Sequence, residues 1–223
     1  MGQPLAPRQL VLALPHAESF AREDFLVGPS NAAALALVER WPDWPAKTMG
    51  LVGPEGAGKS HLAAVWAELT GARVASARLL GEMDLPTAFA TGALVLEDLA
   101  PPDLNERALF HLLNFAREED AYLLITARTP PGGFDVGIRD LASRLRALPT
   151  VTLQPPDDGL LRALIVKFAA DRQLCVDEPL VNYVTNRIER SFAAARAAVE
   201  ALDQEAMRRQ RPVTRALAAD LFR

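Results

Sequence analysis

A single cysteine in 223 residues excludes an internal disulfide. Cys175 then reads as a small hydrophobe of a buried core, in a chain kept under reducing conditions. Basic charge is also scarce. There are 24 Lys and Arg against 28 Asp and Glu, for a net charge of -4, and a chain dedicated to nucleic acid would usually be basic. Divided at Pro156, the sequence carries 13 basic against 18 acidic residues before it and 11 against 10 after it, so the C-terminal part is no basic arm either. No apolar stretch approaches the ~20 residues of a membrane helix. The run Leu10 to Leu14 is shorter than the ~7–15-residue core of an export signal, and Pro15, His16 and Glu18 follow it instead of a small-residue cleavage site. These absences predict a cytoplasmic protein with no membrane contact. Internal repeats and low-complexity linkers are missing as well.

What is present is a core-forming composition, 50% hydrophobic, in which strand-like and helix-like segments alternate. Residues 48–53, 73–77, 92–99, 121–127 and 150–154 read as five strands, the third ending in two acids. Helical patterns precede and separate them. One runs through "AAALALVERW" with Ser30 or Asn31 as its cap and Pro42 as its stop. Another is "HLAAVWAELT", stopped by Gly71, and a third is "NERALFHLLNFAREED". Strands alternating with helices predict an α/β fold, a parallel sheet covered on both faces. From Pro155 onward only helices are predicted. Asp157 caps the first, Asp177 the second with Pro179 in its opening turn, Ser191 the third, and Thr214 a short last one. The predicted organisation is an N-terminal segment 1–18, an α/β domain 19–155 and an all-helical lid 156–223.

The strongest chemical signal is "GPEGAGKS": Gly53, Pro54, Glu55, Gly56, Ala57, Gly58, Lys59 and Ser60. It matches the phosphate-loop pattern and stands between a predicted strand and a predicted helix, the setting that pattern requires. The glycines let backbone N–H groups turn toward phosphate oxygens. Lys59 brings a charge to the β and γ phosphates, Ser60 offers a hydroxyl to Mg2+, and the helix N-terminus adds a favourable dipole. By composition the pattern arises by accident in roughly one chain of this length in a hundred, and the correct flanking elements lower that further. "LVLED" completes such a site: the apolar strand delivers Glu97 to the metal shell and Asp98 toward the attacking water. These proteins commonly carry Asp first and Glu second. The swapped order predicts nucleotide binding with weak self-catalysed hydrolysis.

With these residues in view, the chain resembles the DnaA-type AAA+ family of replication initiators, and more closely its short Hda-type regulators. The resemblance implies an AAA+ P-loop domain with a five-stranded parallel sheet followed by a helical lid. "SFAREDFLVGPSNAAALAL" is similar to the family's entry segment. In the family that segment lines the adenine pocket, and by that match Phe20, Phe25, Val27, Gly28 and Asn31 belong to it; Phe25 and Val27, with His61 directly after the loop, are candidate cofactor-binding residues. "DLASRLRALPTVTLQPPDD" is similar to the family segment that bears an arginine finger, which falls on Arg144. Two departures stand out. Arg128 occupies the sensor position where relatives carry Asp or Asn, with Thr126 the nearest small polar group. In the lid, Ala193 aligns with a second sensor arginine, and Arg190 and Arg196 each lie three residues away.

The resemblance also explains the opening of the chain. "QLVLAL" is similar to the peptide by which Hda-type proteins bind the DNA polymerase sliding clamp, with Gln9, Leu10, Leu12 and Leu14 as its contacts. In DnaA a helix-turn-helix domain follows the lid. Here the sequence ends at Arg223, and the basic run "MRRQRPVTR" reads as a helix end suited to the C-terminal dipole. The implied function is an adaptor that holds ADP or ATP with Mg2+, docks on DNA-loaded clamp and stimulates ATP hydrolysis by DnaA. Its DNA contact is then indirect, through the clamp, and a homo-oligomer stays open. Two other readings also stay open: an ATPase acting directly on origin DNA or loading a helicase, and a small-molecule kinase built on the same loop.

Overall fold

The computed structural model describes residues 20–101 and 104–222. All five predicted strands form: β1 (Thr48–Val52), β2 (Arg73–Ser76), β3 (Ala93–Leu99), β4 (Tyr122–Ala127) and β5 (Thr150–Thr152). They make one sheet in the order β2-β3-β4-β1-β5, and every neighbouring pair is parallel. Parallel neighbours need crossovers, and the helices that supply them cover both faces. The strands show this as strict alternation. Met49, Leu51, Ala93, Val95 and Leu124 face one side, where they pack with Leu62, Ala63 and Trp66. Leu94, Leu96, Leu123 and Ile125 face the other side, packing with Leu109, Leu112, Leu141 and Leu145.

The first face is covered by α1 (Ala32–Glu39) and α2 (Lys59–Thr70). Asn31 precedes α1 but does not cap it with its side chain. Its Oδ1 instead accepts from the Gly28 N–H and its Nδ2 donates to the Leu26 carbonyl, both at 2.9 Å. The asparagine is 1% exposed and pins the entry loop instead of the helix. The helix stops at Glu39, earlier than the sequence suggests, because the approach to Pro42 disfavours helical backbone. The second face is covered by α3 (Leu85–Ala88), α4 (Glu106–Glu118) and α5 (Arg139–Ala147). The pattern reading did not find α3 or α5. Only Leu141 and Leu145 of α5 are buried, and the polar residues around them hide a single i, i+4 pair.

After β5 the described residues hold only helices: α6 (Asp158–Asp171), α7 (Glu178–Thr185), α8 (Phe192–Arg209) and α9 (Arg215–Leu221). Each predicted cap operates. Asp157 accepts from Leu160 N–H, Asp177 from Leu180, Ser191 from Ala194 and Thr214 from Leu217. These helices bury their own cluster around Leu161, Leu164, Val184, Ala195 and Leu202. The expectation for Cys175 is overturned, since it is exposed. After the turn that ends α6, the flanking Leu174 and Val176 pack on the helical core, and Cys175 between them is left facing solvent. No helix among the described residues is long and apolar enough to cross a membrane.

Candidate functional site

The loop from Gly53 to Gly58 leaves the C-terminal end of β1 and enters α2 at Lys59. β1 is held between β4 and β5, so the loop springs from the interior of the sheet. Two of its glycines have backbone that L side chains rarely adopt, Gly56 at φ 70° and Gly58 at φ 98°. Gly53 is needed for a different reason: a Cβ there would lie 2.5 Å from the Leu153 carbonyl oxygen of the neighbouring segment. Lys59 is 7% exposed and lies under the loop. Its Nζ donates to the carbonyls of Gly53 and Pro54, each at 2.8 Å. Burial lowers its pKa, opposed by the nearby Asp98, Glu55 and Glu97 carboxylates and reinforced by Arg128. The lysine, both acids of β3 and Arg128 thus share one electrostatic neighbourhood. Ala57 is buried within the loop, while Ser60 is exposed in the first turn of α2.

At the end of β3 the register with β4 shifts between Leu96 and Leu99. Such an irregularity re-aims side chains next to active sites. Asp98 takes φ 57°, unusual for a non-glycine but tolerated by Asp. Its N–H donates to Thr126 Oγ1 at 3.0 Å, and Thr126 is fully buried. Thr126 therefore fixes the turn at Asp98. Glu97 is partly buried, and its Oε1 is shut off from solvent with no hydrogen-bond partner in the protein. Among the described residues no three metal-ligating side chains cluster. Mg2+ commonly needs only one or two protein oxygens besides phosphates and water. An orphaned carboxylate oxygen near Lys59 fits that demand, and Glu97 with the Ser60 hydroxyl would hold the ion. Such an ion would supply charge neutralisation to a bound phosphate.

On the far rim Arg128 pairs with Glu55 of the loop at 2.8 Å. A cavity of about 380 Å³ lined by Arg78, Asp98, Leu104 and Arg128 opens beside them.

Behind the loop lies an aromatic group. Phe25 is 2% exposed, and its ring meets His61 edge-on at 5.2 Å and Phe192 nearly parallel at 6.1 Å. Phe20 meets the other side of His61 at 5.4 Å. Val27, from the same entry loop, is 51% exposed. His61 Nε2 lies 3.0 Å from the Ala21 carbonyl, which can only accept, so that nitrogen carries the proton. Burial lowers the His61 pKa below 6.5, against the smaller raising effect of the Ala21 bond and Asp24. The folded chain therefore takes His61 neutral. Its contribution to stability is complete above the unfolded pKa of about 6.5 and is lost as pH falls below it, because the unfolded chain then binds a proton that the folded chain disfavours. Thermal melts from pH 8 to 5 should show this decline, and His61→Gln should reduce it.

The helix α8 starts directly on the loop. Phe192 N–H donates to the Gly56 carbonyl at 2.8 Å, and a Cβ on Gly56 would lie 2.8 Å from Ser191 and 3.5 Å from Ala193. Of the two arginines flanking Ala193, Arg190 is held by Asp158 at 2.8 Å. Arg196 lies over the Phe168 ring and close enough to His61 to lower its pKa. It stands one helical turn after Phe192, on the same face. The pattern reading passed over Phe192. Its signal was the Ser191 cap, which places the next side chain at the helix entrance.

Arg144 lies elsewhere. It is in the last turn of α5, paired with Asp140 at 3.0 Å and over the Phe110 ring at 5.0 Å, with its side chain 25% exposed. It lines a cavity of about 400 Å³ with Thr48, Ala121, Leu148 and Pro149. Thr48 opens β1 and Ala121 precedes β4, so this is the end of the sheet opposite the loop. Gln9, Leu10, Leu12 and Leu14 fall outside the described residues.

The sheet order, the loop and the helices after β5 together define an AAA+ P-loop fold of the DnaA type. In particular, the chain superimposes on domain III of the Thermotoga maritima replication initiation protein DnaA with a TM-score of 0.71 at 19% identity, over 91% of this chain and 95% of that one. AMPPCP-bound DnaA from Aquifex aeolicus matches with a TM-score of 0.67 at 17% identity, over 85% and 66% of the two chains. The Thermotoga maritima RuvB Holliday junction branch migration motor matches with 0.66 at 17% identity, over 87% and 68%. No protein-family model matches the sequence.

Proposed function

We propose that this chain is an Hda-like adaptor: it binds ADP or ATP with Mg2+ at the loop 53–60, and offers Arg144 to the nucleotide of a neighbouring DnaA. Phosphate binding rests on the loop glycines, the buried Lys59 and the orphaned oxygen of Glu97. The AMPPCP-bound relative of the same fold supports a nucleotide as the ligand. The division into a clamp-binding segment 1–18, a nucleotide-binding domain 19–155 and a lid 156–223 belongs to this proposal, as does docking on the sliding clamp through Gln9, Leu10, Leu12 and Leu14. In the lid, Arg196 takes the sensor role. Arg190 pairs with Asp158, whereas Arg196 lies over the Phe168 ring and its charge acts on His61.

One observation carries the adaptor reading. Arg144 and the phosphate loop lie at opposite ends of the same parallel strands. β1 alone separates them by about 16 Å at ~3.3 Å per residue. Arg144 cannot reach its own nucleotide, so a finger there acts on a neighbour. The deciding experiment measures hydrolysis of DnaA-bound ATP with and without this protein and DNA-loaded clamp. Stimulation that needs both supports the adaptor. Salt-dependent binding of the isolated chain to DNA, without stimulation, supports an ATPase acting at an origin instead.

Intrinsic turnover should be slow. Glu97 is one methylene longer at the metal, Asp98 is one shorter toward the water, and Arg128 is drawn to Glu55. Steady-state turnover near ~10 s⁻¹, an ordinary enzyme value, in the absence of any partner would count against the adaptor reading.

A further inference from the structure

We infer that Tyr183, Arg187 and Arg215 form a contact on the C-terminal helices for the phosphate backbone of duplex DNA. The contact lies outside the phosphate loop and needs neither the nucleotide nor the adaptor reading. The basic run 207–215 does not stay together in the folded chain. Arg208 and Arg209 both pair with Glu205, and Arg209 also pairs with Asp220 at 2.7 Å. Arg190 is likewise paired with Asp158. Arg215 goes elsewhere. Its guanidinium lies over the Tyr183 ring at 5.5 Å, and Arg187, from the turn after α7, lies over the same ring at 3.6 Å. Both arginines are exposed, and among the described residues neither has a carboxylate partner.

Stacking on a ring holds a guanidinium in place without using its in-plane N–H donors. One donor of Arg187 reaches the Tyr183 carbonyl at 3.4 Å. The ring itself is fixed. Tyr183 packs half-buried on the cluster of these helices, and its hydroxyl donates to the Phe222 carbonyl at 3.4 Å. The two guanidinium carbons lie at most about 9 Å apart, since they share one ring. Unbalanced charge calls for an anion, and the planar fork fits a carboxylate or a phosphate. Two neighbouring forks favour a ligand that repeats its charge at a short, fixed interval. A duplex backbone does so at every ~3.4 Å along each strand. A single strand would gain by stacking its bases, but Arg187 already covers the Tyr183 ring. The contact is therefore to the backbone and reads no sequence. Two phosphates are few against the ~6–10 of a strongly salt-dependent binder, in keeping with a net charge of -4. These helices rest on DNA that another attachment brings close, as a DNA-loaded clamp would.

Fluorescence anisotropy with a labelled duplex DNA of arbitrary sequence tests this on the full chain. Wild-type affinity should fall about tenfold between about 50 and about 200 mM salt, the fall expected of two neutralised phosphates. That slope needs no variant. Arg187→Gln combined with Arg215→Gln keeps most of each stem over the ring and removes both charges. It should cut the slope of log affinity against log salt by about 2. Arg208→Gln combined with Arg209→Gln changes the net charge equally and should leave the slope unchanged, because those arginines are already paired within the protein. A wild-type chain that binds no duplex at the lower salt overturns the contact. Equal loss of slope in the two double variants also overturns it, by making the effect one of net charge. So does displacement by soluble polyglutamate, charge for charge, as effective as by unlabelled duplex, which would make this a site for an acidic peptide.

Discussion

Lys59→Ala should abolish binding of ADP and ATP. Lys59 is the only loop side chain that is both cationic and buried, and its ammonium already bridges the carbonyls of Gly53 and Pro54. The substitution removes the charge that a β phosphate would meet. It also leaves two loop carbonyls without their donor, so the cradle loses its shape as well as its field. The consequence extends to stability. A ligand present at 100 times its dissociation constant stabilises the fold by about 2.7 kcal/mol. Wild-type protein should therefore melt several degrees higher with ADP, and the variant should show no such shift. Calorimetry measures the loss directly. Equal affinities in wild type and variant would remove the loop from the function.

Arg144→Ala separates chemistry from attachment. It should leave nucleotide and clamp binding unchanged while stimulation of DnaA's ATP hydrolysis disappears. A finger stabilises charge on the transferred phosphoryl group and can be worth ~10³–10⁵ in rate. Arg144 pairs with the exposed Asp140 and lies over the half-buried Phe110 ring, which keeps its own packing on the core, so the fold should survive its removal. Replacing Gln9, Leu10 and Leu12 with Ala should do the reverse: clamp binding is lost and nucleotide affinity is kept. Raising the concentration of that peptide variant should partly restore stimulation, because the clamp supplies effective concentration and no catalytic group. No concentration of the Arg144 variant should do so. Similar behaviour of the two variants under titration, or an unfolded Arg144→Ala, would show that the roles are not divided in this way.

The strands and the caps of α6 to α9 were legible because their causes are local. Alternating Leu and Val over a few residues, or an Asp or Ser ahead of an apolar helix, act within one turn of the chain. Where the cause was distant, the sequence pointed elsewhere. Cys175 looked like a core residue by type, yet its neighbours Leu174 and Val176 took the buried side. Asn31 looked like a cap, yet its amide is used by the Leu26–Gly28 loop. α5 was hidden because two leucines in nine residues are too few to mark a face without the sheet they pack on.

The same division holds for the site. The phosphate loop could be read from eight consecutive residues, because its function depends on backbone freedom and charge at fixed spacing. The sequence also determined that two acids end β3 next to it. Only the tertiary structure decided which groups meet across long separations. It tied the Asp98 backbone to Thr126, drew Arg128 to Glu55, brought Phe192 against the loop and Phe25, and set Arg144 at the far end of the sheet. The reason is physical. Side-chain pairing and desolvation are short-ranged, so they depend on the strand order and on how α8 docks, and neither is encoded by any single segment of the chain.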